Sequence, residues 1–253
     1  MGRRWKAEKL TVVQADSRKE MGEAAARDAA EVLRRIAGQK DEINVIFAAA
    51  PSQNEFLDAL KREDVPWEKI RAFQMDDYVD LAPGAPQRFS SFLKEHIWDH
   101  VPVKHIHILR CFDEESGREE ILRYGELLRE HPLDAAFIGI GENGHIAFND
   151  PDVADFFDPA EIKRIPMDER SRIQQVHDGC FSSLEEVPHA ALTVTLPVIL
   201  RAKHIFCVVP AATKAQAVRD ALSGPVGTAC PASALRLIDR AALYLDADSA
   251  SLL

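Results

Sequence analysis

Four polar clusters follow apolar runs in this chain, and each holds residue types that can do chemistry. The first is Gln74-Met75-Asp76-Asp77-Tyr78. Two adjacent carboxylates at a strand end cannot both be buried cheaply, and in an extended strand they point to opposite sides. One is then free to face a pocket as a base while the other caps a turn; a solvated turn is the simpler alternative. The second cluster runs Gly139-Ile140-Gly141-Glu142-Asn143-Gly144-His145-Ile146-Ala147-Phe148-Asn149-Asp150-Pro151. Its glycines let backbone approach a ligand closely or take positive φ. His145 can exchange protons near neutral pH, and Asn143 and Asp150 are placed to fix its orientation or tautomer.

The third cluster, Pro51-Ser52-Gln53-Asn54, falls at a helix start. Free N–H groups there, beside hydroxyl and amide side chains, make an anion pocket. Plain helix capping is the alternative, with Ser52 as the candidate N-cap. The fourth is Pro210-Ala211-Ala212-Thr213-Lys214, again between a strand and a helix. Lys214 in the first helical turn opposes the helix dipole, a placement that makes sense if it faces a phosphate; otherwise it is a surface lysine tolerated at small cost. Gly139, Gly141 and Gly144 also spell G-x-G-x-x-G after an apolar strand, the pattern of a dinucleotide site. The residues that follow hold a polar cluster and a proline rather than a clean helix, so neither a nicotinamide or flavin cofactor nor a metal is assigned.

These clusters need a scaffold. Met21, Ala25, Ala29, Val32 and Ile36 recur at helical spacing and predict a helix over 17–37, stopped near Gly38. Further helices are expected from residue 51, over 89–100, 116–130 and 213–222. Short apolar runs predict strands at 10–13, 43–49, 70–74, 105–109, 135–140, 191–194, 204–209 and 242–245. The alternation implies an α/β fold: a mostly parallel, doubly wound (Rossmann-like) sheet with helices on both faces. In such sheets ligands bind beyond the carboxyl ends of the strands, so the clusters that follow strands should converge there. Segment 152–186 has weaker apolar periodicity and many charges, and is expected to be a lid or helical insertion over the site of a single domain spanning 1–253.

The bulk numbers set the class. The chain has 253 residues, 46% hydrophobic and 28% charged, enough for a sizeable core. Its net charge of −10 argues against broad nucleic-acid binding. No apolar run approaches the roughly 20 residues of a bilayer span, and no apolar block follows the basic N-terminus to make a secretory signal. The cysteines Cys111, Cys180, Cys207 and Cys230 form no C-x-x-C pair and read as reduced thiols, in line with a cytoplasmic setting.

Taken together, the motifs resemble the glucosamine-6-phosphate deaminase/isomerase family, which is related to the 6-phosphogluconolactonases. The resemblance runs over about 10–246. It is carried by Phe73 to Tyr78, Pro86-Gln87-Arg88-Phe89-Ser90-Ser91-Phe92, the Gly139 to Pro151 segment, Val187-Pro188, Ala191-Leu192-Thr193-Val194 and the Lys214 turn. Gly144-His145-Ile146-Ala147-Phe148-Asn149 is the most discriminating part. The resemblance implies a hydrolase of the deaminase type, acting on a small sugar phosphate, with no membrane partner and with a homo-oligomer allowed. It implies His145 as ring-opening acid/base, Asp76 as the carboxylate that moves a proton between C2 and C1, and Asn143 and Asp150 as supports of the histidine. Lys214 matches a phosphate ligand, and Gly144 belongs to the substrate turn. The chain departs from many members at Asn143 (Asp), at Asp150 (Glu) and at 48–53, where a Thr-Gly-Gly-Thr turn is common. Ser52, Gln53 and Asn54 must substitute there, and Arg172 is the candidate for the lid arginine. Two other readings remain open: a lactonase-type hydrolase in which His145 activates water, and a non-catalytic sugar-phosphate-binding regulator.

Overall fold

The computed structural model describes residues 2–253. Among the described residues, eleven strands and seven α-helices follow along the chain. They are β1 (Arg3–Ala7), β2 (Leu10–Gln14), α1 (Arg18–Ala37), β3 (Ile43–Phe47), α2 (Asn54–Leu60), β4 (Ile70–Gln74), β5 (Asp76–Tyr78), α3 (Phe89–Leu93), β6 (His105–His107), α4 (Glu114–Glu130), β7 (Ala135–Ile138), β8 (Ile162–Pro166), α5 (Glu169–His177), β9 (Ala190–Val194), α6 (Leu196–Leu200), β10 (His204–Val209), α7 (Ala215–Ser223) and β11 (Ala241–Leu245).

Eight strands form the main sheet in the order β1-β2-β11-β10-β7-β3-β4-β6. All neighbours are parallel except the edge pair β1–β2. The central strands are apolar on both sides because both faces are covered. Val45, Phe47, Phe137, Phe206 and Val208 pack with residues of α1 and α2, such as Met21, Ala29, Phe56 and Leu57. The alternate residues Ile46, Phe73, Ile138, Cys207 and Val209 pack with Tyr124 and Leu128 of α4, Ile199 of α6 and Val218 of α7. Ser17 caps α1, its Oγ accepting from the Glu20 N–H. Among the described residues, no helix is long and apolar enough to cross a membrane.

From β3 the chain winds outward through β4 to β6, then returns to lay β7 on the other side of β3 and winds the opposite way. The β3/β7 crevice is therefore the topological switch point, where open α/β sheets bind ligands.

Three features differ from the sequence reading. The charged segment Arg3–Ala7 is an edge strand. Residues 190–194 do not join the main sheet: β9 pairs antiparallel with β5 and with β8 in a second, three-stranded sheet. Ser52 is not a helix N-cap; Pro51–Gln53 form a 3-10 turn, and α2 begins after Gln53 with no side-chain cap. Segment 152–186 supplies β8 and α5, so part of it is built into the second sheet.

Candidate active site

A pocket of about 510 Å³, open mouth included, lies beyond the carboxyl ends of β3, β4, β7 and β10. Its walls include Ser52, Gln53, Asp76, Gly141, His145, Gln174, Gln175 and Lys214. All four clusters that follow strands thus contribute to one cavity.

The paired carboxylates divide as an extended strand requires. Asp77 is fully buried and forms an ion pair with the equally buried Arg88 at 3.0 Å. It also accepts from the backbone N–H groups of Tyr78 and Phe89 and from Gln74 Nε2. Burial pushes its pKa up, and these partners offset only part of that. Asp77 is structural. Asp76 points the other way and lines the pocket, 6% exposed. Burial, and then the charge of Asp77, hold its carboxyl well above the usual carboxylate range. Its strand is positioned twice: β5 pairs with β9 so that Asp76 faces Thr193, and Gln74 Nε2 donates to the Asp76 carbonyl at 2.9 Å.

His145 sits on a turn that its neighbours fix. Asn149 Nδ2 donates to the carbonyls of Ile146 and Val194, and the Phe148 N–H donates to Thr193 Oγ1. The second sheet therefore ties the His145 turn to the strand of Asp76. His145 Nδ1 lies 2.9 Å from Asp150 Oδ1. Asn143 Nδ2 donates to the same oxygen at 2.9 Å, while Asn143 Oδ1 accepts from the His145 backbone N–H at 3.1 Å. Burial alone would raise the pKa of Asp150, but the contacts with His145, Asn143 and Ser171 outweigh it and hold the group below the ordinary value. An ionised Asp150 favours a proton on the facing Nδ1, and in a neutral ring Nε2 is then the acceptor open to a ligand. Asn143 thus supports the ring through its backbone and through Asp150.

Gly141 and Gly144 are needed for steric reasons. A Cβ on Gly141 would lie 2.1 Å from His145 Cε1 and 2.2 Å from Nε2. Gly144 has φ +85°, and a Cβ there would lie 2.6 Å from Cys230 Sγ. Gly141→Ala is expected to displace the imidazole while leaving the sheet intact, lowering kcat/KM by about 100-fold or more; steady-state kinetics beside a circular dichroism spectrum check this. The glycine turn leads into the His145 loop and β8 rather than a helix, so the dinucleotide pattern lacks the helix N-terminus that such a site uses. Among the described residues, no group of three or more His, Cys, Asp or Glu is arranged to hold a metal ion.

Lys214 is 5% exposed and lines the pocket from the turn that opens α7. Burial lowers its pKa, with Asp178 and Glu142 pulling the other way. The turn is held by Asp246, which accepts from the Ala211 N–H, the latter residue at φ 81°. Gln53 Nε2 donates to Ser52 Oγ and to the Val208 carbonyl.

Three residues expected to bind substrate lie outside the pocket wall: Arg172, Asn54 and Gly144. The Arg172 guanidinium donates to the carbonyls of Leu184 and Val187, fastening α5 to the segment before β9. Asn54 heads α2. The sequence reading missed Ser171, Gln174 and Gln175 of α5. Ser171 Oγ reaches both His145 Nδ1 and Asp150 Oδ1. Gln174 Oε1 accepts from the Glu142 N–H, and Gln175 Oε1 accepts from the Tyr78 hydroxyl at 2.6 Å. Their i, i+3, i+4 spacing was the available signal, a polar stripe at helical period.

Fold and site together describe an α/β protein with a buried carboxyl and a braced imidazole in one pocket at the switch point of a parallel sheet. The chain belongs to the glucosamine-6-phosphate isomerase/6-phosphogluconolactonase family, whose model matches residues 16–243. It is 32% identical over 223 residues to the glucosamine-6-phosphate deaminase of Exiguobacterium sibiricum, covering 88% of this chain and 84% of that protein. It is likewise 32% identical over 213 residues to the deaminase of Listeria monocytogenes serotype 4a, covering 84% and 88%. The solved structure of a monomeric glucosamine-6-phosphate deaminase superposes with a TM-score of 0.84 at 26% identity, over 96% of this chain and 99% of that one. The 6-phosphogluconolactonase of Trypanosoma brucei superposes with a TM-score of 0.80 at 14% identity, over 96% and 98%, which establishes the shared fold.

Proposed function

We propose that this chain converts glucosamine 6-phosphate and water to fructose 6-phosphate and ammonia. The observation that carries this reading is the buried Asp76, a carboxyl held above its ordinary pKa in the same pocket as the braced His145. His145 Nε2 takes the C1 hydroxyl proton and delivers it to the ring oxygen, opening the pyranose. Asp76 then removes the C2 proton while the aldehyde oxygen takes a proton from the substrate's ammonium group, and returns the C2 proton to C1 of the resulting enolamine. The resulting C2 imine adds water and releases ammonia. A raised carboxyl pKa suits this shuttle, because the group must be base and then acid within one turnover. The net reaction is an aldose–ketose isomerisation with deamination, so the word hydrolase describes the lactonase branch better than this one.

Lys214 and the Ser52 hydroxyl bind the phosphate, and Gln53, whose amide donates to Ser52 and to the Val208 carbonyl, holds Ser52 in place. Lys214→Met is expected to raise KM for glucosamine 6-phosphate about 10- to 100-fold with a small change in kcat, since a contact made equally in ground and transition states acts on binding alone. Initial-rate kinetics test this. Supplied with glucosamine 6-phosphate and 6-phosphogluconolactone in equal amounts, the protein is expected to consume the amino sugar and leave the lactone at its spontaneous rate. The reverse preference would select the lactonase reading, in which Asp76 has no proton to move. Four free cysteines are compatible with a cytoplasmic setting for this chemistry.

A further inference from the structure

Helix α5 carries three buried polar side chains on one face: Gln174 and Gln175 line the pocket and bond to the Glu142 backbone and to Tyr78, and Ser171 reaches the His145–Asp150 pair. Such a face is uncommon, because a buried polar group without a partner is costly and helices usually bury apolar stripes. Ser171 is 1% exposed. Its hydroxyl lies 3.0 Å from His145 Nδ1 and is also hydrogen-bonded to Asp150 Oδ1.

The hydrogens of this triangle have one self-consistent arrangement. Asp150 Oδ1 already accepts from Asn143 Nδ2, and Asp150 Oδ2 is buried with no partner, so Oδ1 carries the whole interaction. With the proton on Nδ1, the imidazole donates to Asp150 and to the Ser171 oxygen, while the Ser171 hydroxyl donates to Asp150. With the proton on Nε2 instead, two lone pairs would face each other across the 2.9 Å between Nδ1 and Asp150 Oδ1. Any hydroxyl hydrogen given to Nδ1 would then also be withdrawn from the carboxylate. Hydroxyl, carboxylate and ring thus select one tautomer together.

We propose that Ser171 is a positioning residue that locks His145 in its Nδ1–H tautomer, so that α5 carries part of the acid/base centre besides covering it. Its catalytic consequence rests on the deaminase reading above; its effect on the ring does not. Loss of the hydroxyl leaves Asp150 with one donor fewer and allows the ring to turn. Ser171→Ala is expected to lower kcat for glucosamine 6-phosphate by about 10- to 100-fold, the range of a hydrogen bond to a charged group, with KM nearly unchanged. Ser171→Thr restores the rate.

The deciding readout is ¹⁵N NMR of the ring in the unliganded protein, with the His145 signals identified by their loss in His145→Gln. The wild type and Ser171→Thr should show one protonated Nδ1 and one unprotonated Nε2; Ser171→Ala should show averaged nitrogens. Should Ser171→Ala not fold, the shape-matched pair Ser171→Thr and Ser171→Val makes the same comparison. Ring nitrogens unchanged on removal of the hydroxyl would overturn the proposal. Absence of ammonia release by the wild type would instead sink the deaminase reading and leave the NMR comparison to decide the role of Ser171.

Discussion

Asp76→Asn should abolish turnover and raise the melting temperature. The catalytic loss follows from removing the only acid/base group offered for the C1–C2 proton transfer, a role worth about 100- to 10,000-fold. The stability gain follows from the same burial that tunes the group. In the folded state its pKa is raised above the ordinary value of a carboxyl, by burial and then by the charge of Asp77. A carboxyl raised on folding binds its proton more tightly in the native than in the unfolded chain. Stability is therefore lost as pH rises from the unfolded pKa toward the folded one, and that loss is fully present above both. Asparagine has no charge to desolvate. The melting advantage of Asp76→Asn over wild type should shrink as pH falls toward about 4 and grow as pH rises. Thermal scans at several pH values measure it. A variant both inactive and less stable would show that Asp76 is a structural carboxylate.

Arg88→Met should have the opposite profile and the largest effect on stability. Arg88 and Asp77 are 1% and 0% exposed, and the guanidinium also donates to the carbonyls of Leu81, Tyr78 and Leu109. Removing one partner of a buried pair leaves the other charge uncompensated, which costs about 3–5 kcal/mol. Against a total stability of roughly 5–15 kcal/mol, that is expected to lower the melting temperature by about 10 °C. The loss should lessen in acid, where Asp77 can take a proton in place of its lost partner; denaturant titrations at neutral and acid pH measure it. The adjacent carboxylates therefore behave in opposite ways. Asp77 is held for the fold, and its charge helps to keep Asp76 protonable.

Much of this division was legible in residue types and spacing. Helix α1 could be read from the recurrence of Met21, Ala25, Ala29 and Ile36 and from the stop at Gly38, both local features. The opposite facing of Asp76 and Asp77 follows from strand geometry alone. The small sheet was not legible, because Asp76–Tyr78 carries no strand signature and becomes a strand only by pairing with Ala191 to Thr193, more than a hundred residues away. Strand β1 was hidden for a related reason: an edge strand can be rich in charge, as Arg3, Arg4 and Lys6 are, because much of it faces water. The stripe of Ser171, Gln174 and Gln175 resembles a solvated face until the structure shows it buried against the pocket. Arg172, the residue in that helix whose charge drew attention, is instead engaged with two carbonyls.

The most direct test of the account is a product balance. The purified protein is incubated with glucosamine 6-phosphate while ammonia and fructose 6-phosphate are followed together. Both are expected to appear, one for one, at a rate far above the blank. Loss of the amino sugar without ketose, or no release of ammonia at saturating substrate, would contradict it.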